Sequence, residues 1–252
     1  GAVIAMIALG TGAQAQVTAQ FEALGTNLLV VRPGLRGSGG VISGTQQNLT
    51  VDDAQAITEL PGVASVSPVV STNTQAKYLD HNAPTQVMGA AVTYFNMQNF
   101  AVDKGRLFSE IDVDETNKVA VIGSNAAQNL FGDDTPPLGE MIKIRGQNFE
   151  VVGVLKSKGD QAGFNADDQI IIPYTTAMRN LLGVDYLREI DVLVADKNEI
   201  NAVSGQPENT GGFGSNNRGG GGFGGGGGTT HVVPPPENSV TALLRKRHHL
   251  TD

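Results

Sequence analysis

Apolar and polar positions along this chain fall into rhythms that change from segment to segment. Gly1–Leu9 (GAVIAMIAL) is almost wholly apolar and runs without a break into a polar stretch. A helix of that length covers roughly 14 Å, about half of a ~30 Å hydrocarbon core. The expectation is therefore the outer end of a transmembrane helix, with an extramembranous domain rising from it; the alternative is a buried helix start or a chance apolar run. From Gly12 to Leu24 the apolar side chains fall at Ala13, Val17, Phe21 and Leu24, between Gln14, Gln16, Gln20 and Glu22. Those spacings place one stripe on a helix, and Gly25 is a natural stop. The pattern predicts a stalk helix whose stripe packs on a neighbouring helix or on a twin subunit. Leu28–Arg32 (LLVVR) then predicts a short buried strand, ended by Pro33-Gly34.

Further along, Thr50 with Asp53 three residues later reads as a variant capping box, opening a helix through Leu60. Pro61-Gly62 stops it, and Val63–Val70 predicts a strand, completing a β-α-β unit. The middle of the chain predicts a strand at Lys118–Gly123 and a helix near Asn125–Phe131. A hairpin Met141–Arg145/Phe149–Leu155 turns around Gly146-Gln147. A strand Gln169–Pro173 and a helix Tyr174–Leu182 follow. Glu189–Ala195 and Glu237–His249 predict a second strand and helix, separated by a stretch of different character. Residues 205–228 hold 13 of the 33 glycines. Such a run cannot offset its ordering entropy by side-chain burial. Gly205–Pro236 is thus expected to be a flexible insertion, dispensable for folding, that ends in the stiff Pro234-Pro235-Pro236.

Composition narrows the chemistry. The 252 residues carry a formal net charge of −8, which argues against a nucleic-acid partner, because a phosphate binder needs a basic stripe. The one basic cluster, Arg245-Lys246-Arg247-His248-His249, suits the last turn of a helix, where the dipole favours cations. There is no cysteine, hence no disulfide and no thiolate site. The glycine run lies outside any strand–helix turn and lacks a following Gly-Lys-Ser/Thr, so it is not a phosphate loop. His81, His231, His248 and His249 have no partner at helical metal-ligand spacing and are expected as surface imidazoles. Ser124, after Gly123, reads as a helix N-cap and not as a nucleophile. Asp112-Val113-Asp114-Glu115 and Asp133-Asp134 lack the alternating ligands of a calcium loop and are expected as solvated turns. No catalytic, cofactor or metal residue is expected.

A family resemblance rests on several segments in order. These are GAQAQVTAQFEALGTNLLVVRPG, LPGVASVSPVV (Leu60–Val70), DKGRLFSEIDV (Asp103–Val113) and KVAVIGSNAAQNLFG (Lys118–Gly132). They continue with PLGEMIKIRGQNFEVVGVLKSKG (Pro137–Gly159), DQIIIPYTTAMRNLLG (Asp168–Gly183) and TALLRKRHHL (Thr241–Leu250). Together they resemble the periplasmic core domain of MacB-type ABC transporter permeases, a group related to FtsX and to lipoprotein-releasing permeases. The resemblance covers most of the chain outside 205–236, and at Gly105-Arg106 it implies a tight turn with the arginine held by a carboxylate or carbonyl. It implies an α+β, two-lobed domain: a discontinuous β-α-β lobe (Porter-like) with a mixed α/β lobe (Sabre-like) inserted in it. The divisions are 1–24 for the membrane end and stalk, 25–82 and 187–252 for the first lobe, and 83–186 for the second. It also implies an inner-membrane protein with this region in the periplasm, non-enzymatic, coupling cytoplasmic ATP hydrolysis to export or to lipoprotein and partner handling. Its implied partners are an ABC ATPase domain or subunit, a second permease in a homodimer, a periplasmic adaptor and an outer-membrane duct. The alternative reading is a secreted or membrane-anchored small-ligand-binding domain or hydrolase.

Overall fold

A computed structural model describes residues 27–33, 48–132, 135–159, 166–196, 199–204 and 239–248. The membrane end, the stalk stripe (Ala13, Val17, Phe21, Leu24) and the glycine-rich insertion lie outside the described residues. The architecture is mixed α and β, and one long strand organises it. Strand β2 (Val63–Tyr78) has 16 residues. Its first half pairs antiparallel with β9 (Glu189–Val194), which in turn pairs with β1 (Leu28–Val31). Its second half pairs with β3 (His81–Ala90). From β3 the order runs through β8 (Gln169–Pro173), β5 (Val119–Ile122) and β7 (Gln147–Leu155) to the edge strand β4 (Val102–Gly105). Strand β6 (Met141–Ile144) pairs with both β7 and the end of β2, so β2-β3-β8-β5-β7-β6 closes into a ring. Closure leaves those strands without free hydrogen-bonding edges along the paired residues.

The central strands β5 and β8 are buried on both faces, which explains their apolar runs, VAVI and the III of QIIIP. Val119, Val121 and Ile171 face one core with Met88, Phe95, Phe108 and Leu155. Ala120, Ile122, Ile170 and Ile172 face the other. That second core is continuous with Ile57, Ile190, Val192 and Val194 of the β1-β9-β2 region. Consecutive residues Val69 and Val70 of β2 face the two different cores, as alternation along a strand requires. Within the first core, Phe95 and Phe108 meet edge to face at 5.0 Å.

Local chemistry sets the elements. Helix α1 (Val51–Thr58) carries the expected capping box, with Asp53 N–H donating to Thr50 Oγ1 and Thr50 N–H to Asp53 Oδ2. Helices α2 (Thr93–Met97) and α3 (Glu110–Asp114) follow β3 and β4. Helix α4 (Ser124–Phe131) packs on the ring, with Phe131 4.4 Å from the Tyr78 ring. Helix α5 (Tyr174–Thr176) continues as a π-helical segment, Ala177–Leu182. Helix α6 (Ile200–Ser204) precedes α7 (Val240–Arg247), whose Ser239 cap accepts from Ala242 N–H. The β6–β7 hairpin turns on Arg145 and Gly146, both at positive φ (48° and 84°), the two-residue geometry that glycine eases.

Several expectations are corrected. The strand expected over Val63–Val70 extends to Tyr78, and β3, α2, β4 and α6 had no counterpart in the pattern reading. Residues 71–75 of β2 (STNTQ) are polar and lack the apolar alternation that marks a strand, while its closing contacts use the small Ala76 and Ala83. Asp112 is not in a solvated turn. It sits in α3, buried, closing a second capping box with Ser109. Ser124 is not an N-cap: Gly123 holds that position, and the Ser124 hydroxyl is buried without a hydrogen-bond partner. The Asp167 carbonyl receives the Asn125 and Ala126 N–H groups instead. His248 is no free surface imidazole, since its Nε2 lies 3.0 Å from Asp53 Oδ2. His81 Nδ1 is 2.9 Å from the Leu130 carbonyl. His231, His249 and Asp133-Asp134 lie outside the described residues.

Candidate functional site

The residues that converge on one site come from β9, β1, α2 with the loop after it, and the loop after β7. In β9 the sequence EIDVLV puts Ile190, Val192 and Val194 into the core, so Glu189 and Asp191 turn to the opposite face. Register places Val30 of β1 on one side of Asp191 and Ser67 of β2 on the other. Beside them, Arg32 Nε donates to Glu189 Oε2 at 2.8 Å. Helix α2 and the Gln98–Phe100 turn roof this face. Leu28, Val30, Met88, Tyr94, Phe100 and Ala166 supply the apolar wall of a cleft of ≈ 690 Å³, and Asp191 lines it.

Asp191 is 4% exposed. Its Oδ2 accepts one long bond, 3.4 Å, from Gln98 Nε2, and its Oδ1 has no partner among the described residues. Burial, reinforced by the neighbouring Glu189 charge, pushes its carboxyl up to about 7, against smaller opposing effects of Gln98 and Arg32. Tyr94 is driven far above the ordinary phenol by the same burial, with Asp191 and Glu189 adding to it. Lys158 donates to the Gln98 carbonyl, and its Nζ stands 4.4 Å from the centre of the Phe100 ring. Burial lowers its pKa while Asp167 works against that shift. Asp167 is itself clamped by Ser157 Oγ and by the Lys158 and Gly159 N–H groups. These overcome the effect of burial and hold its carboxyl below the ordinary value. The cleft therefore offers an apolar wall and one carboxyl that is half-ionised near neutrality.

The Gly105-Arg106 expectation holds: Gly105 turns at φ 80°, and Arg106 Nη1 donates to Asp112 Oδ2 and to the Leu107 carbonyl, each at 3.0 Å. A Cβ at Gly105 would meet the Val152 carbonyl at 2.3 Å, so close approach as well as φ demands glycine there. The basic cluster ends α7, where Arg247 reaches Asp53 Oδ1 at 2.6 Å. The stalk stripe belongs to residues outside the description and is not brought to any site. No cluster of three His, Cys, Asp or Glu is placed to hold a metal among the described residues. The cleft itself escaped sequence reading. The available signal was two acidic residues at i and i+2 in an otherwise apolar strand.

Comparison with known proteins bears on identity. Residues 1–209 match the family model described as the MacB-like periplasmic core domain. A macrolide export ATP-binding/permease protein MacB of Bdellovibrio bacteriovorus is 42% identical over 205 residues, which cover 80% of this chain and 31% of that protein. One from Chlorobaculum tepidum is 40% identical, with 79% and 31% covered. The chain thus spans about a third of the length of the curated relatives it matches. The crystal structure of the periplasmic region of MacB from Actinobacillus actinomycetemcomitans superposes with a TM-score of 0.59 at 25% identity, covering 70% of this chain and 78% of that one. The extracellular domain of the noncanonic ABC-type transporter YknZ from Gram-positive bacteria shares the fold, with a TM-score of 0.58 at 21% identity, covering 69% and 86%.

Proposed function

The chain belongs to the family of MacB-like periplasmic core domains, and from that premise we propose that it relays cytoplasmic ATP hydrolysis to export, mechanically and without chemistry of its own. It is a periplasmic domain of a MacB-like ABC transporter permease. No helix among the described residues is long and apolar enough to cross a membrane. The observation that carries the relay reading is the 16-residue strand β2, which pairs with β9 in one region and with β3 and β6 in the other. A strand hydrogen-bonded into both regions, with a core running across both, resists internal shear and suits a body that transmits displacement.

On this reading residues 25–82 with 187–252 form a Porter-like lobe, and 83–186 form a Sabre-like lobe. The stalk over 1–24 is the input, with Ala13, Val17, Phe21 and Leu24 packed on a neighbouring helix or the second permease of a homodimer. The ATPase is a cytoplasmic domain or subunit, and a periplasmic adaptor and an outer-membrane duct receive the cargo. The names of the relatives support macrolides as that cargo. In a complete transporter carrying this chain, glycines at Gln16 and Gln20 cost a helix about 1 kcal/mol each. They soften the stalk without touching its stripe. ATP hydrolysis should persist while macrolide efflux falls; unchanged efflux from a stalk shown to be locally melted would refute the relay.

A further inference from the structure

We propose that the cleft between β1, β9 and the Gln98–Phe100 turn binds a small amphiphile through its protonated amine, with Asp191 as the anchoring carboxylate. The inference concerns a site within the domain and stands apart from the relay reading.

Three observations carry it. The first is the unsatisfied group. Asp191 is 4% exposed, its Oδ1 has no hydrogen-bond partner, and the Gln98 bond to Oδ2 is long. Buried polar atoms are ordinarily satisfied, and an orphan invites a ligand donor. The second is the engagement of nearby cations elsewhere. Arg32 is bound to Glu189, and Lys158 is held by the Gln98 carbonyl and the Phe100 ring. A buried carboxylate without its own counterion takes a cationic donor more readily than an anion or a neutral group. The third is the wall. Leu28, Val30, Met88 and Phe100 leave ≈ 690 Å³, a volume suited to a compact apolar body.

Every charged or titratable group facing Asp191 bears on the pH dependence. Glu189 lies beside it on β9, Arg32 follows β1, Tyr94 is on α2, and Lys158 is on the loop after β7. Asp191 titrates near neutrality, so below about pH 7 the carboxyl is mostly protonated. An ammonium ion that enters then expels that proton to the buffer. Binding becomes weaker and proton-releasing as pH falls.

The 252-residue chain can be titrated calorimetrically with 1-adamantylammonium, 1-adamantanol and 1-adamantanecarboxylate. At pH 8 the ammonium should bind at least about tenfold more tightly than the alcohol, and the carboxylate more weakly than either. At pH 6, repeating the titration in buffers of different ionisation enthalpy should reveal proton release approaching one per site. Asp191→Asn should erase both the preference and the release. Val30→Trp, which fills the cleft beside Asp191 and leaves the carboxyl in place, should abolish binding of all three. Equal binding of amine and alcohol, a preference that survives Asp191→Asn, binding that survives Val30→Trp, or no binding of the ammonium would each overturn the site. Circular dichroism verifies that each variant is folded; should Asp191→Asn not fold, proton release and Val30→Trp decide alone.

Discussion

Two buried aspartates, Asp53 and Asp191, sit in regions that treat a carboxylate in opposite ways. Asp53 stands where α1 meets α7 and is 1% exposed. It accepts from the Thr50 N–H and hydroxyl, from Arg247, and lies 3.0 Å from His248. Burial alone would raise its pKa; the Thr50 N–H, Arg247, the Thr50 hydroxyl and His248 together pull it below the ordinary value. Asp191 is buried nearly as well and has almost nothing to accept from, so burial wins and its pKa rises. Burial is therefore not what sets the direction of the two shifts. Partner count is. Asp53 ties α7, which follows the glycine-rich insertion, to α1, whereas Asp191 is left with one long hydrogen bond.

The largest effect should come from Asp53→Ala, which removes the reciprocal half of the capping box and strands Arg247 and His248. A loss of about 3–4 kcal/mol in urea unfolding at pH 7 is expected. Because the folded pKa of Asp53 is depressed, its contribution is full above about pH 4 and is lost as pH falls through the folded value. Wild type and variant should therefore converge in acid, and a constant gap down to pH 2 would count against the network. Next is Asp191→Asn, with the opposite sign. Its pKa is raised from 3.8 to about 7, so the folded state binds more protons between those values and stability declines as pH climbs. The penalty is absent below the unfolded pKa and complete above about pH 7, with an upper bound of about 4 kcal/mol. With water able to enter the cleft, about 2 kcal/mol of stabilisation by the substitution at pH 8 is expected, vanishing at pH 4. Destabilisation at pH 8 would mean that Asp191 is a satisfied structural group.

Asp112→Ala tests whether the Asp53 pattern recurs. Burial pushes this carboxyl up, but the Ser109 N–H, Arg106, Asn117 and the Ser109 hydroxyl overcome it and hold it at about 2. Its contribution should persist well below pH 4 and fade near pH 2, and its removal should cost about 1–2 kcal/mol in thermal or urea melts. The smallest effect belongs to Glu189→Gln. It removes the like charge beside Asp191 and frees Arg32, so the Asp191 titration, followed by carboxyl carbon NMR, should move to lower pH. The accompanying change in stability should stay under ~1 kcal/mol. An upward move would mean that Arg32, and not Glu189, dominates the field at the cleft.

What was legible in the amino-acid order were the elements whose cause is local. The Thr50/Asp53 capping box, the Gly105-Arg106 turn, the Arg145-Gly146 hairpin and the apolar strands β5 and β8 follow from dihedral preference, side-chain caps and unbroken hydrophobic runs. The ordered segments that resemble the family lie largely on these elements. Tertiary structure decided the rest. Residues 71–78 become strand because β3 and β6 pair with them, although the sequence there is polar. Asp53 finds Arg247 from 194 positions away. Asp191 Oδ1 is left without a partner while Arg32 is taken by Glu189 and Lys158 by the Gln98 carbonyl, two choices made on different elements. Caps and turns are settled within a few residues of chain. Whether a buried charge has a partner depends on what the rest of the fold brings within about 3 Å of it, and no local pattern carries that distance.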